Sequence, residues 1–508
     1  MTAFRSSSDV IARVTVVAFA FGVAACEVGD DPQPLSHMVA VEGTVDYTIA
    51  AGTSFYIDRS YSVGHLTVNG RLLCQPGVTT PITITATSIT VTGDGATLEC
   101  GTATQRYDGA IKFLLRDDGS SATGHAGHAH DGPATLSVSD GGTLRLFGGR
   151  IETFGWQRIA APIAPGATTV VLESAAGWRA GDTIVVGPTG FNSAEAEERT
   201  IARVAGTTVT VTAPFTYGHL ATNKLYTEGA RSAVLHEHAE VADLTRNIVI
   251  SAAADDATLR STQRGASVVI RAGGHAFVDG VELAHGGQLG VLGAYPFHWH
   301  LAGDVPGQYL RNSSIHHTFQ RCVTIHGTNY AEVSNNVCFD HLGHGFFFEQ
   351  GNEVKNVLHD NLGMLSRRVP AGKGLLDSDM HSDQPTRFSA PSTFWVTNPD
   401  NDLANNVASG SEGTGFWMSF SQGIHCGTAV SPYQCDGPMG AANNLAPAQV
   451  DTLRFDNNIA HSTVVGMTWD GAEDGPLSTI APNNPSARKA ISSHYYHGAA
   501  IPSFDRLQ

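Results

Sequence analysis

The chain has 508 residues, with 47 acidic against 30 basic side chains and a formal net charge of −17. A field of that sign argues against nucleic acid and against unaided capture of a polyanion, so an anionic polysaccharide would need a local basic patch. The length admits several domains or one long repetitive one. Abundant β-branched residues, 56 glycines and little helical periodicity point to strands.

Residues 1–26 read as an export signal. Arg5 and Arg13 supply positive charge, and the apolar run from Val14 to Ala25 is short for a membrane span. It closes Val23-Ala24-Ala25-Cys26, which matches a bacterial lipobox and makes Cys26 the candidate lipidation site. An ordinary secretory peptide with an incidental cysteine is the alternative. Residues 27–39, acidic and proline-bearing, read as a tether, and the expected location is the bacterial envelope, with the membrane reached through the lipid. Six further cysteines, 74, 100, 322, 338, 426 and 435, permit disulfides in an exported chain. Cys426–Cys435 leads, because it closes a polar loop; Cys74–Cys100 is a second pairing. Cys322 equally reads as a buried free thiol.

Residues 40–155 are short alternating strands punctuated by Asn-Gly, Asp-Gly and Gly-Gly turns. Among them lies a tract with His125, His128 and His130, read as a solvated loop with incidental metal affinity. Residues 156–244 form a second β-rich module. From 245 to 508 the text becomes spaced repeats of strand, Asn-rich turn and strand, as in R-N-S-S-I-H-H, S-N-N-V-C-F-D and A-N-N-V-A-S-G. A period of roughly 20–25 residues marks a solenoid. Asparagine suits its turns because it tolerates left-handed backbone and its amide can ladder between coils. The leucine consensus of the rival repeat class is missing. The expected fold is all-β: a right-handed parallel β-helix preceded by β-rich N-terminal modules.

Five segments carry a family resemblance: Tyr295–Asp304, Ser314–Gly327, Leu342–Glu349, S-T-F-W-V-T-N-P-D-N-D at 392–402 and G-S-E-G-T-G-F-W at 410–417. They resemble the family of the cell migration-inducing and hyaluronan-binding protein and its transmembrane hyaluronidase relative. Residues 40–155 resemble the glycine-marked G8 domain that precedes the β-helix in that family. The resemblance runs in order over most of 40–480 and implies hyaluronan or a related uronate glycan as the partner class. Two features depart from the family: the lipobox, and the end at Gln508, where I-P-S-F-D-R-L reads like a coil beginning.

Chemistry is expected in the histidine-dense stretch 295–349. Alternation puts His298 and His300 on one strand face with Trp299 opposite. A step of 26 residues stacks His300 on His326, and a step of 23 stacks His326 on Glu349. With strands about 4.8 Å apart, His298, His300, His326 and Glu349 form one donor set suited to a divalent metal, zinc or calcium. A histidine ladder satisfied by carbonyls and Glu349 is the structural alternative, and direct contact of the histidines with sugar, without metal, is a third. Arg321 is the candidate partner of a uronate carboxylate, or an ordinary surface ion pair. Asp304 is a candidate acid/base, or a turn cap. His344, 23 residues from Arg321, is the candidate proton carrier. At most one of His316 and His317 belongs to the site, with His317 assigned to substrate; His341 reads as surface. Trp299, Trp395 and Trp417 could stack on sugar rings or fill the core.

Two functions compete. One is a polysaccharide-depolymerising enzyme, by hydrolysis through Asp304 and Glu349 or by β-elimination using His344, Arg321 and the metal. The other is a noncatalytic glycan-binding or adhesion lipoprotein, which needs only a long β surface. Convergent donor geometry separates them.

Overall fold

The computed structural model describes residues 31–40, 42–120, 132–150, 155–229, 231–374, 391–421, 447 and 450–472. The export signal with Cys26, the His125–His130 tract, and Cys426 with Cys435 lie outside the described residues. Among the described residues no helix is long and apolar enough to cross a membrane.

The described chain winds as a parallel β-helix with three ladders. The first stacks eleven strands, from Gln33–Pro34 to Arg454–Asp456. The second runs through Tyr47–Ile49, His65–Val68, Ser88–Thr92, Thr135–Ser139, Ser267–Ile270, Phe297–Asp304, Val323–Asn329, Phe346–Phe348 and Ser392–Val396. The third includes Ile82–Ala86, Ile111–Leu115, Ile248–Ala252, Val281–Ala284, Ser314–Thr318, Val337–Leu342 and Leu362–Arg367. The long strands Val407–Ser421 and Ile459–Ala472 extend the second and third ladders together.

Alternation along each strand sends every second side chain into the coil. In the second ladder one core column reads Leu66, Ile89, Leu136, Val268, Phe297, Val323, Phe346, Phe394 and Phe416. Phe346, Phe394 and Phe416 stack with ring centroids 4.8 and 4.6 Å apart. That is the spacing of neighbouring strands, so the ladder itself sets the aromatic stack.

The pairing moves the boundary that the sequence puts at 245. Ile111–Leu115 pairs directly with Ile248–Ala252, and Thr135–Ser139 with Ser267–Ile270. Coils therefore already form within 40–155. Residues 156–244 are an excursion between coils: Trp156–Arg158, Thr169–Val171, Thr183–Val186, Glu197–Ala205, Thr208–Val211 and Glu240–Asp243 form an antiparallel sheet with its own core. This module packs on the outside of the third ladder, where Val185, Ala242 and Leu244 meet Val337, Phe339, Leu362 and Met364.

The turn asparagines divide two tasks between neighbours. Asn335, Asn405 and Asn457 hold positive φ of 53°, 59° and 52°. The next residues, Asn336, Asn406 and Asn458, are buried and join Asn361 in an amide ladder with steps of 3.1, 3.0 and 2.9 Å.

Cys74–Cys100 and Cys322–Cys338 are disulfides inside the coil core. The free-thiol reading of Cys322 is thereby corrected. Its partner lies on the next turn of the third ladder, which strand text alone does not bring near.

Candidate functional site

The strand Phe297–Asp304 inserts Phe297 and Trp299 into the core, so His298 and His300 face outward. Outward does not mean exposed here: His298, His300 and His326 are 0%, 5% and 1% accessible. The register partners His300 with His326 and His298 with Thr324. His300 Nδ1 and His326 Nδ1 lie 3.1 Å apart, and one nitrogen from each of the three imidazoles falls within 4.8 Å of the others. The rings of His298 and His326 are parallel, with centroids 5.9 Å apart. Glu349 Oε2 lies 3.8 Å from His326 Nδ1, and Gly293 carbonyl oxygen lies 3.1 Å from His298 Nδ1.

This donor set suits a divalent transition metal. Two nitrogens each about 2.1 Å from one tetrahedral ion stand about 3.4 Å apart, close to the His300–His326 separation. Neutral imidazoles and one carboxylate are also the right ligand chemistry for zinc; calcium, which takes six to eight oxygens, fits it poorly.

A contiguous set of rings extends from this group. Tyr295 packs on His298 at 4.9 Å, and the Arg321 guanidinium lies 4.9 Å from the Tyr295 centroid and 4.0 Å from that of Phe347. His344 stacks on Phe347 at 5.2 Å and meets Trp395 at 4.7 Å, and Trp395 meets Trp417 at 5.0 Å. Arg321 is wholly buried, so the surface ion-pair reading is corrected. Its Nη1 donates to Gln320 Oε1 at 3.1 Å.

Several expected roles move. Trp299 points into the core and donates from Nε1 to Gln308 Oε1 at 3.3 Å, out of reach of any sugar. Asp304 sits exposed at the far end of its strand, where it accepts from Asn329 at 2.8 Å; a bulge after His300 turns the strand before Asp304 is reached. His317 belongs to the third ladder's edge. Its Nε2 pairs with Glu198 of the inserted module at 2.9 Å, and its Nδ1 lies 2.8 Å from His316 Nδ1. Burial lowers its pKa, but the Glu198 hydrogen bond and charge outweigh that and leave it raised. His341, expected at the surface, is buried; that burial and the charge of Arg367 hold it neutral, down to about 3. Ser366 Oγ lies 2.9 Å from its Nε2.

His344 is held by Ser392. The backbone N–H of Ser392 donates to its Nδ1 at 3.1 Å. The Ser392 hydroxyl lies 2.9 Å from the same nitrogen, so Ser392 fixes the orientation of this buried ring.

Glu353 is the residue that the sequence reading missed. It is fully buried and accepts from the backbone N–H groups of Gly327, Gln350 and Gly351 at 2.9, 3.0 and 2.7 Å. Burial pushes its carboxyl up to about 7 against the pull of those donors. By tying the residue after His326 to the turn after Glu349, it holds the two stacked corners together. The turn signal in Q-G-N-E is the only local hint of it.

The chain matches the family model described as CEMIP beta-helix over residues 263–467 and the G8 domain model over 39–160. Fibrocystin-L of Mus musculus is 31% identical over 444 residues, covering 78% of this chain and 10% of that protein. The cell migration-inducing and hyaluronan-binding protein of Mus musculus is 34% identical over 338 residues, 59% of this chain and 23% of that protein. Cell surface hyaluronidase CEMIP2 of Homo sapiens is 33% identical over 290 residues, 51% of this chain and 20% of that protein. The chain thus spans 10–23% of the length of these relatives. With both domain models matched in order along one continuous coil, the chain belongs to the family built on a G8 domain and a CEMIP β-helix.

Proposed function

We propose that the chain binds a uronate-bearing glycan of hyaluronan type, with a divalent metal held by His298, His300, His326 and Glu349 at the point of engagement. The observation that carries this is the convergence of three imidazole nitrogens within 4.8 Å on the outward face of the coil, beside a carboxylate. The names of two relatives, one hyaluronan-binding and one a hyaluronidase, support the glycan class. A bound ion would supply positive charge to a uronate carboxylate, which an acidic chain otherwise lacks. Arg321 adds fixed positive charge within the adjoining rings.

The binding half of this reading has more support than cleavage. Hydrolysis needs two carboxyls flanking one bond, and Asp304 turns to Asn329 while Glu349 turns to His326. Elimination needs a base, and His344 is a wholly buried ring whose Nδ1 is already engaged by Ser392. Display on a bacterial envelope through Cys26 remains part of the proposal.

The test is elemental analysis of the purified chain together with calorimetric titration by hyaluronan oligosaccharides. Expected are near-stoichiometric metal, its loss in His300→Ala and His326→Ala, and a fall in affinity of about tenfold or more, about 1.4 kcal/mol, on chelation. A folded wild type without metal, binding no oligosaccharide, would overturn the reading. Release of reducing or unsaturated ends would add cleavage to it.

A further inference from the structure

The outward face that carries the histidine group continues toward the N-terminus. Register partners run from Thr67 to Thr90, to Ser137, to Val269 and then to His298. A column beside it runs His65, Ser88, Thr135 and Ser267. The residues between these columns, including Leu66, Ile89 and Leu136, face the core, so alternation puts both columns outside.

Six of these residues, His65, Thr67, Ser88, Thr90, Thr135 and Ser137, line an open groove of about 290 Å³. That is near the small end of ligand sites, which run from about 300 to 1,000 Å³. Within it His65 Nδ1 and Ser88 Oγ lie 2.7 Å apart, which orients the imidazole. Ser267, the next member of the Ser88–Thr135 column, is 1% exposed and closes the column beyond the groove.

The lining selects the ligand's chemistry. Among the described residues it holds no carboxylate, no lysine or arginine and no phenyl or indole ring. It offers hydroxyls and one imidazole, which recognise neutral hydroxyl or amide groups by hydrogen bonding and give a uronate carboxylate no counter-charge. Thr90 stands three ladder steps from His298, or about 14 Å at ~4.8 Å per step. One glycan chain laid along the coil axis can therefore meet both places with different residues.

We infer that this groove is a second saccharide subsite, which takes a neutral sugar residue of the glycan whose uronate engages the histidine group. The inference rests on the glycan-binding reading above. It concerns the earliest coils, where the described lining offers hydroxyls and the single imidazole of His65.

The test uses the whole chain, loaded with zinc, and hyaluronan disaccharide, too short to span the two places, and decasaccharide as probes in calorimetry. Thr67→Val and Thr90→Val together remove two half-buried hydroxyls while keeping β-branched shape on the strand. Expected is a decasaccharide that binds wild type at least about tenfold tighter than the disaccharide, with that advantage lost in the double variant and disaccharide affinity unchanged. An equal length advantage in both proteins, with circular dichroism and thermal midpoint unchanged, overturns the subsite and leaves the histidine reading standing. Binding of neither oligosaccharide to wild type overturns both.

Discussion

His300 and His326 are register partners on adjacent strands, and their Nδ1 atoms stand 3.1 Å apart. Two imidazole nitrogens this close must share a proton or face a common cation, because two N–H groups pointed at each other repel. With a cation there, mass action ties metal to folding. Zinc at about 100 times its Kd should stabilise the native chain by about 2.7 kcal/mol, read as a rise in thermal midpoint. His326→Ala should abolish that rise. An unchanged midpoint in wild type would favour the shared proton.

Trp299 provides a control on the same strand. Its indole fills the core between the paired strands, so Trp299→Ala should cost about 3–5 kcal/mol in denaturant unfolding. Glycan affinity per folded molecule should stay unchanged. A large loss of affinity without loss of stability would return this residue to the sugar surface.

The asparagine pairs make an asymmetric prediction. Asn361 accepts from both the backbone N–H and the side-chain amide of Asn336 and donates to Val333 and Asn406. Asn361→Ala strands several buried groups at about 1–3 kcal/mol each, so a loss on the order of 3 kcal/mol is expected in urea unfolding. Asn335→Gly, at a φ of 53°, should change stability by less than about 1 kcal/mol.

Reduction should matter to the coil. Replacing Cys322 and Cys338 by serine opens a cross-link between residues 16 apart in sequence, with an expected loss of about 3 kcal/mol by loop-closure entropy. Chemical unfolding of the double variant against the oxidised wild type measures it.

Acid should loosen the inserted module first. Glu240 is buried there; burial alone would raise its carboxyl, but the charge of His461 at 2.8 Å, with Arg158, holds it down at about 2. A depressed folded pKa contributes stability above the unfolded value of 4.5, and that contribution fades as pH falls from about 4.5 towards 2. Hydrogen exchange across 156–244 should accelerate in that window while the core phenylalanine column stays protected. His461→Gln should move the onset to higher pH. Onset at the same pH in both would remove Glu240 from the account.

The sequence by itself determined what is local and periodic. Alternation put His298 and His300 opposite Trp299, steps of 26 and 23 residues stacked the histidine corners, and paired asparagines marked the turns. Each follows from strand geometry, which repeats every two residues along a strand and once per coil. Only the tertiary structure decided what depends on distant partners. Ile111 pairs with Ile248 across the whole inserted module, so the coil's beginning was hidden behind more than a hundred residues. Glu198 of that module captures His317, Phe347 and Tyr295 enclose Arg321, and Ser392, 48 residues away, engages Nδ1 of His344. Facing direction is a property of one strand, whereas burial and protonation belong to whatever the rest of the chain packs against it.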